Sequence, residues 1–139
     1  MHVQTGLTAG PIEMGRSLPP ELAGAAGALV EFQGVVRGEE DGRAIAALED
    51  EAYSPMAEKV MRTIVEDIAR QHACLFVRVT HRVGVVPTGE AAIHVVVAAG
   101  HRAEAFAMAT GFMDRLKQDV PIWKRRALSR NELDALVKL

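Results

Sequence analysis

Two lysines on either side of a proline are the first candidates for chemistry. Lys117 and Lys124 stand seven residues apart in "LKQDVPIWK", with Pro121 between them. A lysine acts as a base or nucleophile when neighbouring cations or desolvation lower its pKa, and Arg125 and Arg126 follow Lys124 directly. A structural role is the alternative, because a lysine at a helix C-terminus also complements the helix dipole.

Three further side chains are candidate anion ligands. "GHRAE" places His101 and Arg102 at a predicted helix start, where free backbone N–H groups and the helix dipole favour negative charge. Arg37 ends the run "GALVEFQGVVR", and an arginine at the end of a strand can clamp an oxyanion. The alternatives are helix capping for the first two residues and a solvated charge for Arg37.

The hydrophobic pattern predicts the strands that must position these side chains. Strands are predicted over 27–36, 75–84 and 122–128. The apolar run "AAIHVVVAA" (91–99) predicts a central strand that is covered on both faces. A polar turn with glycines precedes residues 44–53, which are predicted to return as the hairpin partner of the 27–36 strand.

Capping signals and apolar spacing predict the helices. Ser54 as N-cap and Pro55 as first helical residue predict a helix that runs to about Gln71. A second helix is predicted over 101–117, with an apolar stripe at helical spacing. "SRNE" (129–132) has the spacing of a capping box and predicts a short terminal helix.

Two long helices and five or more strands, several in hairpins, indicate one α+β domain over residues 1–139. Residues 1–26 are predicted to form an N-terminal strand and turn region, and residues 129–139 a short C-terminal helix. His81 and His94 lie in predicted strands. We expect them to be core residues, because no spacing here resembles a metal site.

The composition narrows the class of protein. With 139 residues, 49% hydrophobic and 24% charged, the chain is typical of a single globular domain. No apolar run approaches the ~20 residues that span a bilayer, and the N-terminus lacks the pattern of a secretion signal. Cys74 is the only cysteine, which excludes an internal disulfide and suits the cytoplasm, where we expect the protein to act without membrane contact.

The charge is unevenly distributed. The chain carries a net charge of −2, yet residues 101–130 hold seven basic side chains against three acidic ones. Such a local field attracts a small anion or an acidic partner, although a solvated basic face is the alternative. The negative total and an aromatic content of 4% argue against nucleic-acid binding, which needs many phosphate contacts or stacked bases.

The predicted second helix separates two of the candidate sites. His101 and Lys117 are sixteen residues apart, or roughly 24 Å along a continuous helix. One small ligand can hardly reach both positions within one chain. Either there are two sites, or a two-fold dimer brings one subunit's helix start near the other's helix end.

Five stretches of the chain together resemble the family of large, catalytic subunits of molybdopterin synthase. They are "GALVEFQGVVR", "LEDEAYSPMAEK", "VTHRVGVVPTGE", "VVVAAGHRAEAF" and "MDRLKQDVPIWKRR". They follow in the family's order over about residues 27–126. The most specific feature is "HR" before the second helix combined with "LK…PIWK" after it.

The resemblance implies an α/β-hammerhead fold with a mostly antiparallel sheet. It implies a homodimer within a heterotetramer, whose other member is a small ubiquitin-like sulfur-carrier subunit. Such enzymes use the thiocarboxylate on the carrier's C-terminal glycine to convert cyclic pyranopterin monophosphate into the dithiolene molybdopterin. No cofactor and no metal are implied.

Site residues follow from the same resemblance. Lys117 and Lys124 match the catalytic lysines: Lys117 would assist acyl and sulfur transfer, and Lys124 would act as acid/base or electrostatic partner. The matching substrate-binding residues, which would hold phosphate and pterin oxygens, are Arg37, His101, Arg102, Arg125 and Arg126.

Three features of the sequence depart from the family pattern. Asp50 stands where many members carry an aromatic residue, and Arg126 where an acidic one is common. The tail after Leu128 is short. The main alternative function is therefore a non-catalytic module of the same fold that binds anions or another protein, although such a module would not need this particular pair of lysines.

Overall fold

A computed structural model describes residues 1–15 and 17–137. The strands are β1 (His2–Thr8), β2 (Ala28–Val35), β3 (Glu39–Glu40), β4 (Arg43–Ala44), β5 (Ala47–Ala52), β6 (Phe76–Arg82), β7 (Gly84–Pro87), β8 (Ala91–Ala99) and β9 (Ile122–Leu128). The helices are α1 (Met56–Ala69), α2 (Arg102–Asp119) and α3 (Arg130–Val137), with a 3₁₀ turn at Pro20–Leu22. Arg16 in the N-terminal region and residues 138–139 of the predicted terminal helix lie outside the described residues.

The strands form two main sheets. The first has the order β1-β6-β8-β2, in which only the β1–β6 pair is parallel. The second has the order β7-β5-β9 and is antiparallel throughout. The predicted α+β class, with mostly antiparallel strands and two long helices, is confirmed.

The core lies between α1 and α2 and one face of the first sheet. Its largest fully buried helical side chains are Met61, Ile64, Val65, Met108 and Phe112. The opposite face is covered by the N-terminal segment, which packs Leu18 and Leu22 against a smaller cluster around Val96. Strand β8 sends alternate residues to both faces, so its prediction as a central, doubly covered strand is confirmed. No helix in the described part of the chain is long and apolar enough to cross a membrane.

The predicted hairpin between residues 27–36 and 44–53 is wrong. Strand β2 pairs with β8, whereas β5 belongs to the second sheet and pairs with β7 and β9. The β5–β9 register places Glu49 directly opposite Arg126. Opposite charges that face each other across an antiparallel pair are favourable.

Ser54 does not cap α1, contrary to the prediction. The helix begins at Met56, Pro55 occupies the N-cap position, and no side chain caps the helix there. The Ser54 hydroxyl donates instead to Glu58 Oε2, at 2.8 Å. The predicted end of the helix is confirmed to within the usual uncertainty of two residues.

The predicted strand over 75–84 is two strands in different sheets. β6 ends at Arg82 and β7 begins at Gly84, so Val83 lies between them. Gly84 has φ 85°, a left-handed conformation that glycine adopts without steric cost. The chain therefore crosses from the first sheet to the second at this glycine.

The capping box at α3 is confirmed by two reciprocal hydrogen bonds. The Glu132 backbone N–H donates to Ser129 Oγ at 3.2 Å, and the Ser129 backbone N–H donates to Glu132 Oε1 at 3.0 Å. The bond from the Ser129 backbone N–H to the carboxylate lowers the pKa of Glu132 because it stabilises the ionised form.

Replacing Ser129 with alanine is expected to cost about 1 kcal/mol of stability, the usual value of a lost N-cap. The substitution removes the oxygen that accepts from the Glu132 backbone N–H at the start of α3. Urea unfolding followed by circular dichroism would measure the loss. Ser129→Thr, which retains the hydroxyl, should lose less; equal losses in the two variants would show that the hydroxyl is not the cause.

Candidate active site

The main candidate site is a cavity of about 400 Å³ at the junction of the two sheets and α2. This volume lies in the range of small-molecule pockets. Its walls are largely apolar and include an exposed tryptophan. The apolar lining comes chiefly from Phe32, Ile93, Met113, Leu116, Ile122 and Trp123.

Three predicted site residues line this cavity. Lys117 comes from the last turn of α2, Lys124 from β9, and Arg37 from the segment that follows β2. Each is positioned by a different element, and the fold brings the three cations to one apolar-walled space. Within residues 1–15 and 17–137, Lys117 and Arg37 form no ion pair.

The basic run 124–126 is partnered within the chain. Lys124 pairs with Glu40 of the β3–β4 hairpin, which also lines the cavity. The other two cations lie outside the cavity and pair with β5: Arg125 Nη1 is 2.7 Å from Glu51 Oε1, and Arg126 Nε is 2.6 Å from Glu49 Oε1. Their predicted role in substrate binding stays a prediction, since in a single chain they do not face the cavity.

His101 and Arg102 lie at a second, separate cavity. This open space of about 470 Å³ is at the start of α2, beside Gly27 and Gly100. His101 occupies the N-cap position but makes no capping hydrogen bond with its side chain, and both residues are exposed. As the length of the helix predicted, the fold keeps His101 and Arg102 away from the two lysines within one chain.

Sequence reasoning missed three polar residues of the first cavity. Glu40, Asp50 and His81 all line it, alongside the cations. The alternation of side chains along the strands was a usable signal for two of them. Along β5 it turns Leu48 and Asp50 to one side, and along β6 it buries His81. Which side of each strand faces the lysines depends on how the two sheets meet, and no local pattern encodes that.

His81 is buried and its tautomer is set by the backbone. Its Nδ1 lies 2.7 Å from the carbonyl oxygen of Arg82, which only accepts, so Nδ1 carries the hydrogen. Burial lowers the pKa of His81, while that hydrogen bond and the charge of Asp50 oppose the shift. When His81 is neutral, its other ring nitrogen is an acceptor.

A pH-dependent stability follows from the lowered pKa of His81. As the pH falls below 6.5, the unfolded chain binds a proton at this histidine that the folded chain resists, so the folded state loses stability. His81→Asn keeps a donor near Nδ1 but cannot titrate. The stability lost on this substitution should therefore be smaller at pH 5 than at pH 7.5 in urea unfolding. An identical loss at both pH values would contradict this assignment.

His94 was predicted to be a core residue and is one, and the single cysteine is buried as well. His94 is 1% exposed, with Nε2 at 3.0 Å from Glu31 Oε1. Cys74 is buried, and desolvation raises the pKa of its thiol to about 11, which keeps it protonated. Among the described residues, no three histidine, cysteine or acidic side chains are grouped as a metal site would require.

The chain matches known proteins over most of its length. The family model described as MoaE protein matches residues 7–119. A molybdopterin synthase catalytic subunit of Oryza sativa subsp. indica is 37% identical over 109 residues, covering 78% of this chain and 56% of the relative. One from Thermoplasma volcanium is 38% identical over 103 residues, covering 74% of this chain and 75% of the relative. The chain thus spans about half the length of the plant relative and three quarters of the archaeal one.

Solved structures share the fold. The crystal structure of molybdopterin synthase from Staphylococcus aureus superposes with a TM-score of 0.79 and 29% identity, covering 90% of each chain. A Helicobacter pylori complex of subunits 1 and 2 of molybdopterin-converting factor has a TM-score of 0.67 and 20% identity, covering 92% of this chain and 90% of that one. At that identity the second likeness shows the fold alone. The family match and the archaeal relative show that this chain belongs to the MoaE protein family.

Proposed function

We propose that this chain is the catalytic subunit of a molybdopterin synthase. It would transfer sulfur from the thiocarboxylated C-terminus of a small ubiquitin-like carrier subunit to cyclic pyranopterin monophosphate, forming the dithiolene of molybdopterin. The observation that carries the proposal is the convergence of Arg37, Lys117 and Lys124 on one apolar-walled cavity. Relatives named molybdopterin synthase catalytic subunit support the same activity.

The cavity suits a reaction between two anions. A thiocarboxylate and a cyclic phosphate repel each other in water, and fixed cations in a partly apolar site offset that repulsion. Arg37 would hold a phosphate oxygen, since its planar guanidinium donates two parallel hydrogen bonds. In each transfer a carbon–sulfur bond forms on the pterin side chain and a carbon–oxygen bond breaks at the same carbon: one opens the cyclic phosphate to a monoester, and the other releases its oxygen as water. The acyl carbon–sulfur bond breaks as water adds to the acyl carbon, which returns the carrier as a carboxylate.

The lysines would act at the acyl group. The Lys117 side chain, without an ion pair among the described residues, would stabilise the oxyanion that develops when the acyl carbon is attacked. Lys124 would act as acid/base or electrostatic partner once an incoming anion replaces Glu40. In the described part of the chain, Lys124 thus has a resting partner and Lys117 does not.

We also propose that the active form is a homodimer within a heterotetramer that acts in the cytoplasm. The cavity at His101 and Arg102 lies at the opposite end of α2 from Lys117, so a two-fold axis can unite them across two subunits. Light scattering of the purified chain should give twice the monomer mass. A stable monomer that is fully active with the carrier would rule out a site shared between subunits.

The test of function is a reconstitution. Purified chain, thiocarboxylated carrier and cyclic pyranopterin monophosphate are mixed, and the dithiolene product is assayed. Product that requires all three components is the expected result. A stable complex with the carrier but no product would instead favour the non-catalytic binding module.

A further inference from the structure

Strand β5 places one carboxylate in the cavity and two outside it. Asp50 lines the cavity with Leu48, whereas Glu49 and Glu51 pair with the two arginines outside. This division follows from the alternation of side chains along a strand. Asp50 is therefore held by the backbone on the side of the candidate active site.

The Asp50 carboxylate has no partner in the described part of the chain. Lys124 stands opposite Asp50 across the β5–β9 pair, but its ammonium pairs with Glu40 instead. Asp50 is half-buried, and desolvation raises its pKa, with the charge of His81 as the only opposing influence. A partly buried carboxylate without hydrogen bonds is unfavourable, and a ligand that supplies donors would offset that cost.

The polar groups that line the cavity are of two kinds, cations and hydrogen-bond acceptors. Of the three cations that line the cavity, Arg37 and Lys117 have no ion pair among residues 1–15 and 17–137. Asp50 is an acceptor, and neutral His81 presents its second ring nitrogen as another, because Nδ1 already donates to a backbone carbonyl. Aromatic and aliphatic walls, including Trp123, line the same space. A matching ligand has an anionic end, a flat ring and an edge of N–H donors.

The substrate class proposed above has this pattern. The 2-amino-4-oxo ring of a pterin carries an amino group beside a ring N–H, which together form two parallel donors. A carboxylate accepts two parallel donors with its two oxygens. We infer that Asp50 binds the 2-amino and ring N–H donors of the pterin and thereby selects the substrate ring; this inference rests on the proposed function of the cavity.

Two small ring probes test the inference without the sulfur chemistry. Pterin itself has the amino group, whereas lumazine carries a carbonyl oxygen in its place and should be repelled by a carboxylate. Fluorescence titration of the chain together with the carrier in its carboxylate form gives a Kd for each probe. We expect the wild type to prefer pterin by roughly 10- to 100-fold, the effect of a hydrogen-bonded charge.

Asp50→Asn should bring this preference close to one, because an amide offers one acceptor and one donor. The variant removes an unpaired charge, so it should fold at least as well as the wild type. Glu66→Gln is the matched control: Glu66 is exposed on α1, away from the cavity, and the preference should remain. A preference that survives in Asp50→Asn, or a wild type that binds both probes equally or neither, would overturn the inference.

Failure of the inference and failure of the proposed function are distinguishable. Dithiolene product formed by a wild type that shows no pterin preference would reject the role of Asp50 and leave the activity in place. A wild type with an Asp50-dependent preference but no product would reject the activity and retain pterin recognition.

Discussion

Lys117→Ala is expected to lower the rate of dithiolene formation by roughly 10²- to 10⁴-fold, the usual loss when a general acid–base group or an oxyanion donor is removed. Lys117 lines the cavity from the last turn of α2 and has no ion pair in the described chain, so its ammonium is available to the acyl group. The reconstituted assay measures the loss. Circular dichroism and carrier binding should remain as in the wild type.

Two further variants separate the possible causes of that loss. Lys59→Ala removes an exposed lysine of α1 that lies outside the cavity, and it should be fully active. Lys117→Arg keeps the positive charge but cannot supply a neutral amine. Recovery of activity in Lys117→Arg would assign an electrostatic role, whereas its failure would assign proton transfer or attack to the amine. Lys117→Ala with the activity of Lys59→Ala would remove Lys117 from the mechanism.

Phe112→Ala is expected to destabilise the fold by about 3–5 kcal/mol. Phe112 is fully buried between α2 and the first sheet, and its loss leaves a cavity that the surrounding core fills only in part. Since a domain of this size has about 5–15 kcal/mol of stability in total, the variant should be close to unfolding at physiological temperature. Urea unfolding followed by circular dichroism measures the change.

The same helix provides the control. Phe106 is 58% exposed, so Phe106→Ala makes the same chemical change without a buried cavity. Its effect should stay within about 0.5 kcal/mol, as for most surface substitutions. Similar losses for the two phenylalanines would show that burial in the core is not what makes Phe112 important.

Local patterns predicted those parts of the fold that local forces determine. The apolar run of β8 and the Ser129 capping box act within a few residues, and both are confirmed. The predicted apolar stripe of α2 is confirmed except at Phe106, which was expected to belong to it and is exposed. The predicted pairing of β5 with β2 was wrong, because the partner of a strand can lie far away in the sequence, where local patterns do not identify it. The β3–β4 hairpin separates β2 from β5 without pairing them.

For the same reason, only some residues of the candidate site were predicted from the sequence. Residue types and the family resemblance indicated Lys117, Lys124 and Arg37, which share one cavity. The partners of the basic run were not predictable from the sequence. They depend on a bulge between Glu49 and Asp50 that shifts the β5–β9 register. The sequence alone therefore showed Asp50 only as a departure from the family pattern, and not as a residue of the cavity.

Because the chain crosses at Gly84, the candidate site is built from two different sheets. Lys117 is carried by a helix packed on the first sheet, whereas Lys124 and Asp50 are carried by the second. The ring selectivity inferred for Asp50 and the chemistry proposed for Lys117 are therefore carried by different sheets. The distance between Lys117 and Lys124 is in turn set by the way the two sheets meet. A substitution that stiffens or loosens the backbone there would change the rate of the proposed reaction without contacting any ligand.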